Sequence, residues 1–193
     1  MLSTLNQLTN HPARKSLTGS IIGDPLQFLV DCHEQIEERL RTLERLIPNL
    51  RSDSEERRQV AREALDDALC FLTTMGKLHT EDEEQSLFPR LLINSDDDAE
   101  ALAELAATLE AQHREKELVL GKLVAYVRNL PPAPRVLPAE QVNRVEALVL
   151  HLGSLYRPHI MLENQRLIPL SADHLKEHDL EEMRHEMCSR RES

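Results

Sequence analysis

Apolar residues recur every three or four positions along four long stretches of the chain, the spacing that gathers them on one face of an α-helix. The first stretch predicts a helix from about Asp24 to Ile47 with the stripe Leu29, Ile36, Leu40, Leu43, Ile47, and His33 fills the one gap in it. Pro25 suits the first turn, and Pro48-Asn49 is expected to end the helix. Ser52-Asp53-Ser54 offers N-caps for a second helix carrying Leu65, Leu69, Leu72 and Met75, then His79 and Glu83, which should stop near Phe88-Pro89. Asn94-Ser95-Asp96 should open a third helix with Leu102, Leu105, Leu109, His113, Leu120, Leu123 and Val127. Beyond the linker Leu130-Pro131-Pro132-Ala133-Pro134, a fourth helix from about Pro138 carries Val145, Leu148, Leu152, Leu155, His159 and Glu163, ending near Ile168-Pro169. Residues 1–23 have no sustained period and read as an arm, and the charged tail 171–193 reads as a short amphipathic helix. Four long helices with short connections predict an all-α fold, an antiparallel up-down-up-down four-helix bundle over residues 24–170.

The second half of this pattern repeats the first. A shift of 80 positions carries His33 to His113, Glu37 to Glu117, His79 to His159, Glu83 to Glu163, Gln85 to Gln165, Leu87 to Leu167 and Pro89 to Pro169. Leu29, Leu40, Leu43, Leu50 and Leu72 also land on leucines. Two copies of one hairpin related by a pseudo-twofold would bring the four histidine-bearing helices to one level.

Composition narrows the class. Only 3% of residues are aromatic, with no Trp and 5 Gly, while straight-chain helix formers abound, which favours helices over sheets. A net charge of −11 argues against nucleic acid or an anionic membrane as partner. Cys32, Cys70 and Cys188 are odd in number and widely spaced, so they suit neither a disulfide framework nor a thiolate zinc site. The start lacks a basic, apolar leader and no apolar run reaches membrane-spanning length, so a reducing cytoplasmic setting is expected.

The chemistry lies in the residues that interrupt the stripes. His and Glu four apart share a helix face, and the pairs His33/Glu37, His79/Glu83, His113/Glu117 and His159/Glu163 occur once per predicted helix. In the tail, His178/Glu182 has the same spacing without an apolar stripe and reads as solvated surface. An ionised carboxylate in an apolar core costs many kcal/mol unless paired or bound to metal. Few cations lie on these faces, Lys116 and Arg166 being the nearest. Two divalent ions would resolve the imbalance, and nitrogen and oxygen donors without thiolate suit iron while accepting manganese or zinc.

Several neighbours invite a role but have simpler readings. Cys32 is turned about 100° from His33 around the helix and is not expected to be a ligand. Pro158 marks either a kink near the site or an ordinary break. Met161 and Leu162 suit core packing better than a pocket for a diatomic gas. The acidic run Glu81-Asp82-Glu84 is expected to face water, and His174, His178 and His185 are not expected to form a second metal site.

In order and spacing the motifs resemble the hemerythrin family, specifically the HHE cation-binding, hemerythrin-like proteins of bacteria. They are His33, His79-Thr-Glu-Asp-Glu83 running into Leu87-Phe88-Pro89, His113, and His159-Ile-Met-Leu-Glu163 running into Leu167-Ile168-Pro169. The resemblance implies two iron ions, bridged by Glu83 and Glu163, with His33, His79, His113 and His159 as terminal ligands. It also implies dioxygen, peroxide or another small oxidant as ligand, and a redox partner. Oxygen-carrying hemerythrins have a second histidine where this chain has Glu117, which argues for binding or sensing over reversible carriage. A dedicated catalytic role is not favoured. Glu37 and Glu117 are left as further ligands, partners of a ligand, or surface residues.

Overall fold

The computed structural model describes residues 22–94 and 98–192, and within them all regular structure is helical. The elements are α1 (Pro25–Leu50), α2 (Glu55–Asp82), α3 (Phe88–Asn94), α4 (Ala99–Arg128), α5 (Ala139–Leu162), α6 (Ile168–His174) and α7 (Glu177–Glu192). Of the expected arm only Ile22 and Gly23 are described, and Ser95 and Asp96 also lie outside the described residues.

The starts follow local chemistry. Asp24 caps α1 by accepting from the Leu26 and Gln27 amides at 2.9 and 3.5 Å, and Ser54 caps α2 through the Arg57 amide. The third long helix starts at Ala99 after Asp98, not at Asn94, which closes α3.

The ends depart further from expectation. Pro48 does not stop α1. The helix runs on to Leu50, whose side chain is 1% exposed, so burial of that leucine outweighs the local penalty. Neither Phe88-Pro89 nor Ile168-Pro169 ends a helix. In both places the chain passes through a π-helical turn, Glu83–Leu87 joining α2 to α3 and Glu163–Leu167 joining α5 to α6. Phe88 N–H donates to Glu83 O and Ile168 N–H to Glu163 O, five residues back. A proline in an ordinary α-helix collides with the carbonyl four residues before it. The wider turn gives Pro89 and Pro169 room, and the helix continues for another seven-residue segment.

The buried side chains form two clusters with the histidine level between them. On α1, Leu26 to Cys32 belong to one cluster and Ile36 to Leu50 to the other. Along α2 the order reverses, with Ala61 to Met75 first, then Leu87 at the end of the π turn and Phe88 and Leu91 beyond it. On α4 it runs from Leu102–Leu109 to Val119–Val127, and on α5 from Val142–Ile160 towards Leu167. Each fully buried leucine contributes about 1.5–3 kcal/mol, so the greasy blocks on either side anchor the level between them. Buried Arg58 pins the proline-rich linker, donating to Pro134 O and Ser52 O at 2.7 Å and to Asp53 O at 2.9 Å.

The tail forms helix α7, which lays Met183 and Met187 into the second cluster, both fully buried. Among the described residues, no helix is long and apolar enough to cross a membrane.

Candidate metal centre

The four helices deliver six side chains to one buried point. His33 comes from α1, His79 from the end of α2, His113 from the middle of α4 and His159 from the end of α5; Glu83 and Glu163 open the two π turns. None of the six is more than 4% exposed, and both carboxylates are at 0%, so neither carboxylate faces bulk solvent. The histidines form two matching edge-to-face pairs. The ring centroids of His33 and His79 are 4.7 Å apart, and those of His113 and His159 are 4.8 Å apart.

Their inner atoms converge. His33 Nε2 lies 3.0 Å from His79 Nε2 and 3.0 Å from Glu163 Oε2. His79 Nε2 is 3.4 Å from Glu83 Oε1, His113 Nε2 is 3.2 Å from Glu83 Oε2, and His159 Nε2 is 2.7 Å from Glu163 Oε1. Despite these approaches, all four oxygens of Glu83 and Glu163, with His113 Nε2 and His159 Nε2, lack a properly directed hydrogen bond among the described residues. An unsatisfied buried polar group costs about 1–3 kcal/mol, and a charged one more. Such a set of lone pairs aimed at a common point fits a cation.

The donors sort into two groups, His33, His79, Glu83, Glu163 and Glu83, His113, His159, Glu163. Within each, the donor atoms lie within 4.8 Å of one another. That span is close to what donors about 2.1 Å from a single ion would have. Both carboxylates belong to both groups, so the geometry offers two cation positions sharing two carboxylates.

The electrostatics fit the same reading. Burial disfavours charge on every member. Even so, the adjacent Glu163 and Glu83 carboxylates overcome it at His33 and His113, raising their pKa to about 10 and about 9. At His79 burial wins and lowers the value to about 4; it also lowers His159. Burial and the Glu163 carboxylate push Glu83 up, yet the surrounding imidazoles hold it down at about 2. Glu163 is likewise held well below the usual carboxylate range by His113, His159 and His33 against its burial. Two protonated imidazoles can thus stand where cations would, and both kinds of positive charge compete for the same carboxylates.

A ring of outer contacts aims the imidazoles. His33 Nδ1–H donates to Asn164 Oδ1 at 2.7 Å, His113 Nδ1–H to Glu84 Oε1 at 2.7 Å, and His159 Nδ1–H to Gln112 Oε1 at 2.8 Å. Each fixes the tautomer that leaves the Nε2 lone pair facing inward. The ring obeys the duplication, since position 84 corresponds to 164 and 33 to 113. It also shows where the copies differ. Gln112 corresponds to Cys32, and His79 Nδ1, which would need a partner there, is buried without one. Cys32 is a buried thiol pushed up to about 12, chiefly by that burial.

The remaining candidates stand apart. Glu37 is partly buried and pairs with Arg41 at 3.6 Å and Arg157 at 3.9 Å, and Glu117 is exposed, so neither joins the donors. Glu81-Asp82-Glu84 does not simply face water, because a buried π-turn neighbourhood recruits two of the three. Asp82 is fully buried against Arg190 and Arg191, and Glu84 holds His113. Met161 is 54% exposed, so it neither lines a gas pocket nor packs the core. His178 and Glu182 are open to solvent, and among the described residues no metal-type group forms in the tail. The sequence pattern missed Asn164, Glu84 and Gln112; their signal was position, one residue after each π-turn glutamate or one before a stripe histidine.

A comparison with curated proteins finds no match. A family model described as the hemerythrin HHE cation binding domain matches residues 24–171, an interval that contains every donor of the site. The chain belongs to the hemerythrin HHE cation-binding family.

Proposed function

We propose that this chain holds two iron ions in a non-haem centre that binds or senses dioxygen or a related small oxidant, such as peroxide or nitric oxide. The observation that carries the reading is the sharing of Glu83 and Glu163 between both donor groups, with none of their four oxygens hydrogen-bonded. In this reading His33 and His79 would hold one ion and His113 and His159 the other, with Glu83 and Glu163 available to both. Nitrogen and oxygen donors suit iron, with manganese or zinc as alternatives. When bound, such a pair supplies electrons to a small oxidant at an open coordination position.

The protein's own share is to aim and insulate. Asn164, Glu84 and Gln112 fix three imidazole tautomers, and the apolar clusters on both sides keep bulk water away. Glu117, exposed where oxygen carriers have a histidine, supplies no donor, which supports binding or sensing over reversible carriage and over a dedicated catalyst. We read the four long helices as an up-down-up-down antiparallel bundle, since each crosses from one cluster to the other in alternating order. The cytoplasm is the proposed setting, with a redox partner and without nucleic acid or membrane, as the charge of −11 supports.

A regulatory reading has its own support. Arg190 and Arg191 of α7 bond the residue directly before Glu83, so metal loss could be felt by the tail. Metal quantification with an absorption spectrum on freshly purified protein tests the main reading: a colourless chain free of iron would sink it. Increased protease cleavage of α7 on chelation would favour the sensor.

A further inference from the structure

The two halves of the bundle differ on the faces beside the metal centre. On the α1–α5 face, Arg157 reaches across to Glu44 at 2.7 Å and Glu37 at 3.9 Å, and Arg41 pairs with Glu37 at 3.6 Å. A Cβ on Gly153 would meet Arg157 at 2.9 Å, so that arginine lies directly over the helix and closes the face.

The duplicated face between α2 and α4 lacks this closure. There Lys77 stands for Arg157, Gly121 for Arg41 and Val124 for Glu44. Lys77 turns along its own helix to Glu81 at 3.5 Å. Among the described residues, nothing lies within 4 Å of the position a Gly121 side chain would take. A cavity of about 560 Å³ opens here, and its wall includes His113, Glu84, Thr73, Gly76, Lys116 and Tyr156. Two further breaks in the duplication furnish it. Lys116 replaces Ile36 and Tyr156 replaces Gly76. Lys116 is 4% exposed, and its ammonium sits 4.7 Å from the Tyr156 ring centroid; among the described residues it makes no ion pair within 4 Å, and Glu163, Glu83 and Glu84 act on it only from farther off.

A buried ammonium with no carboxylate in direct contact is costly unless an anion joins it. The charge of the centre adds to that demand. Two divalent ions would bring +4, against which Glu83 and Glu163, with Glu84 held on His113, set −3; with Lys116 included the neighbourhood is left at +2. The geometry points to the α2–α4 cavity as an entry and binding site for a small anion, anchored by Lys116 at the edge of the metal centre. This rests on the metal-centre reading given above.

Iodide probes it, because it is a small anion that quenches tyrosine emission. The full-length, zinc-loaded protein in a Tyr126→Phe background leaves Tyr156 as the sole reporter. Iodide should quench it along a saturable curve, and Lys116→Met should weaken the apparent affinity about tenfold, the loss of one charge-assisted contact. Lys116→Arg should restore part of it, and neutral acrylamide should quench wild type and Lys116→Met alike. Gly121→Arg, which rebuilds the closure of the other face at a site with open space, should shut out both quenchers while leaving the metal content unchanged. Iodide quenching that is unsaturable, or indifferent to both Lys116→Met and Gly121→Arg in metal-replete protein, overturns the inference. Protein that takes up no metal on the same samples overturns the metal-centre reading instead.

Discussion

Arg191 sets its guanidinium 2.5 Å from Asp82 Oδ2, while Arg190 bonds Oδ1 of the same carboxylate at 2.9 Å. Asp82 is fully buried and immediately precedes Glu83. The last turn of α7 is therefore fastened to the residue beside a π-turn glutamate that belongs to both donor groups. Arg191 also lies over the Phe28 ring at 4.6 Å, tying α1 into the same knot.

Breaking that contact leaves buried arginine charge uncompensated. Asp82→Ala should lower the free energy of unfolding by about 3 kcal/mol, as expected when one partner of a buried ion pair is removed. Chemical denaturation of the two proteins measures it. A change under about 0.5 kcal/mol would place the pair among the weak surface contacts.

Substitutions at the centre should sort by donor status. His79→Ala and Glu163→Ala should each remove most of the bound metal, whereas His178→Ala, on the open side of α7, should leave it unchanged. Elemental analysis of purified protein reads this directly. Equal loss from all three variants would discredit the site.

The outer contacts should matter by degree. Glu84→Gln replaces a carboxylate that accepts from His113 with a carboxamide like Asn164, and Gln112→Ala removes the acceptor of His159. Each should weaken metal affinity by about 10–100-fold without unfolding the bundle, the usual scale for partners of ligating histidines. Competition with a chelator gives the number.

Acidity should oppose metal uptake. His33 and His113 hold protons up to about 10 and about 9, against 6.5 for a free imidazole. Loading metal at neutral pH should therefore release about two protons, measurable in weakly buffered solution, and affinity should fall as pH drops. The same shifts govern the metal-free fold. Raised histidine values give stability that is complete below 6.5 and is lost as pH climbs through about 9 to 10. The lowered value of Glu83 gives stability that is present above 4.5 and is lost as pH falls towards about 2. His79, lowered to about 4, and His159, also lowered, act the opposite way, giving stability that is present above 6.5 and is lost as pH falls below it. Thermal midpoints of the metal-free chain should thus peak near pH 6.5, and a midpoint still rising at pH 9 would contradict the assignment.

Much of this centre was legible in the sequence, because helical period and duplication are both written in spacing. His33, His79, His113 and His159 interrupt apolar stripes at matched places, and burial followed from that alone. The π turns were not legible, since pairing five residues apart leaves no compositional mark. The repeated proline six residues after Glu83 and after Glu163 read as a stop when it accompanied a widened turn. The partners of the imidazoles were hidden for another reason: Asn164 and Gln112 sit on helices remote in sequence from the histidines they orient. The burial of Asp82 depended on where α7 docks, which no local pattern encodes.

Each hairpin contributes one of the two shared glutamates, and each donor group draws on both. Neither half of the chain owns a complete nest of ligands. A protein cut within Pro131–Pro134 would yield two fragments, each lacking half of both donor groups, that could rebuild the nest only as a pair. Repetition here makes the two halves depend on each other in place of duplicating one another.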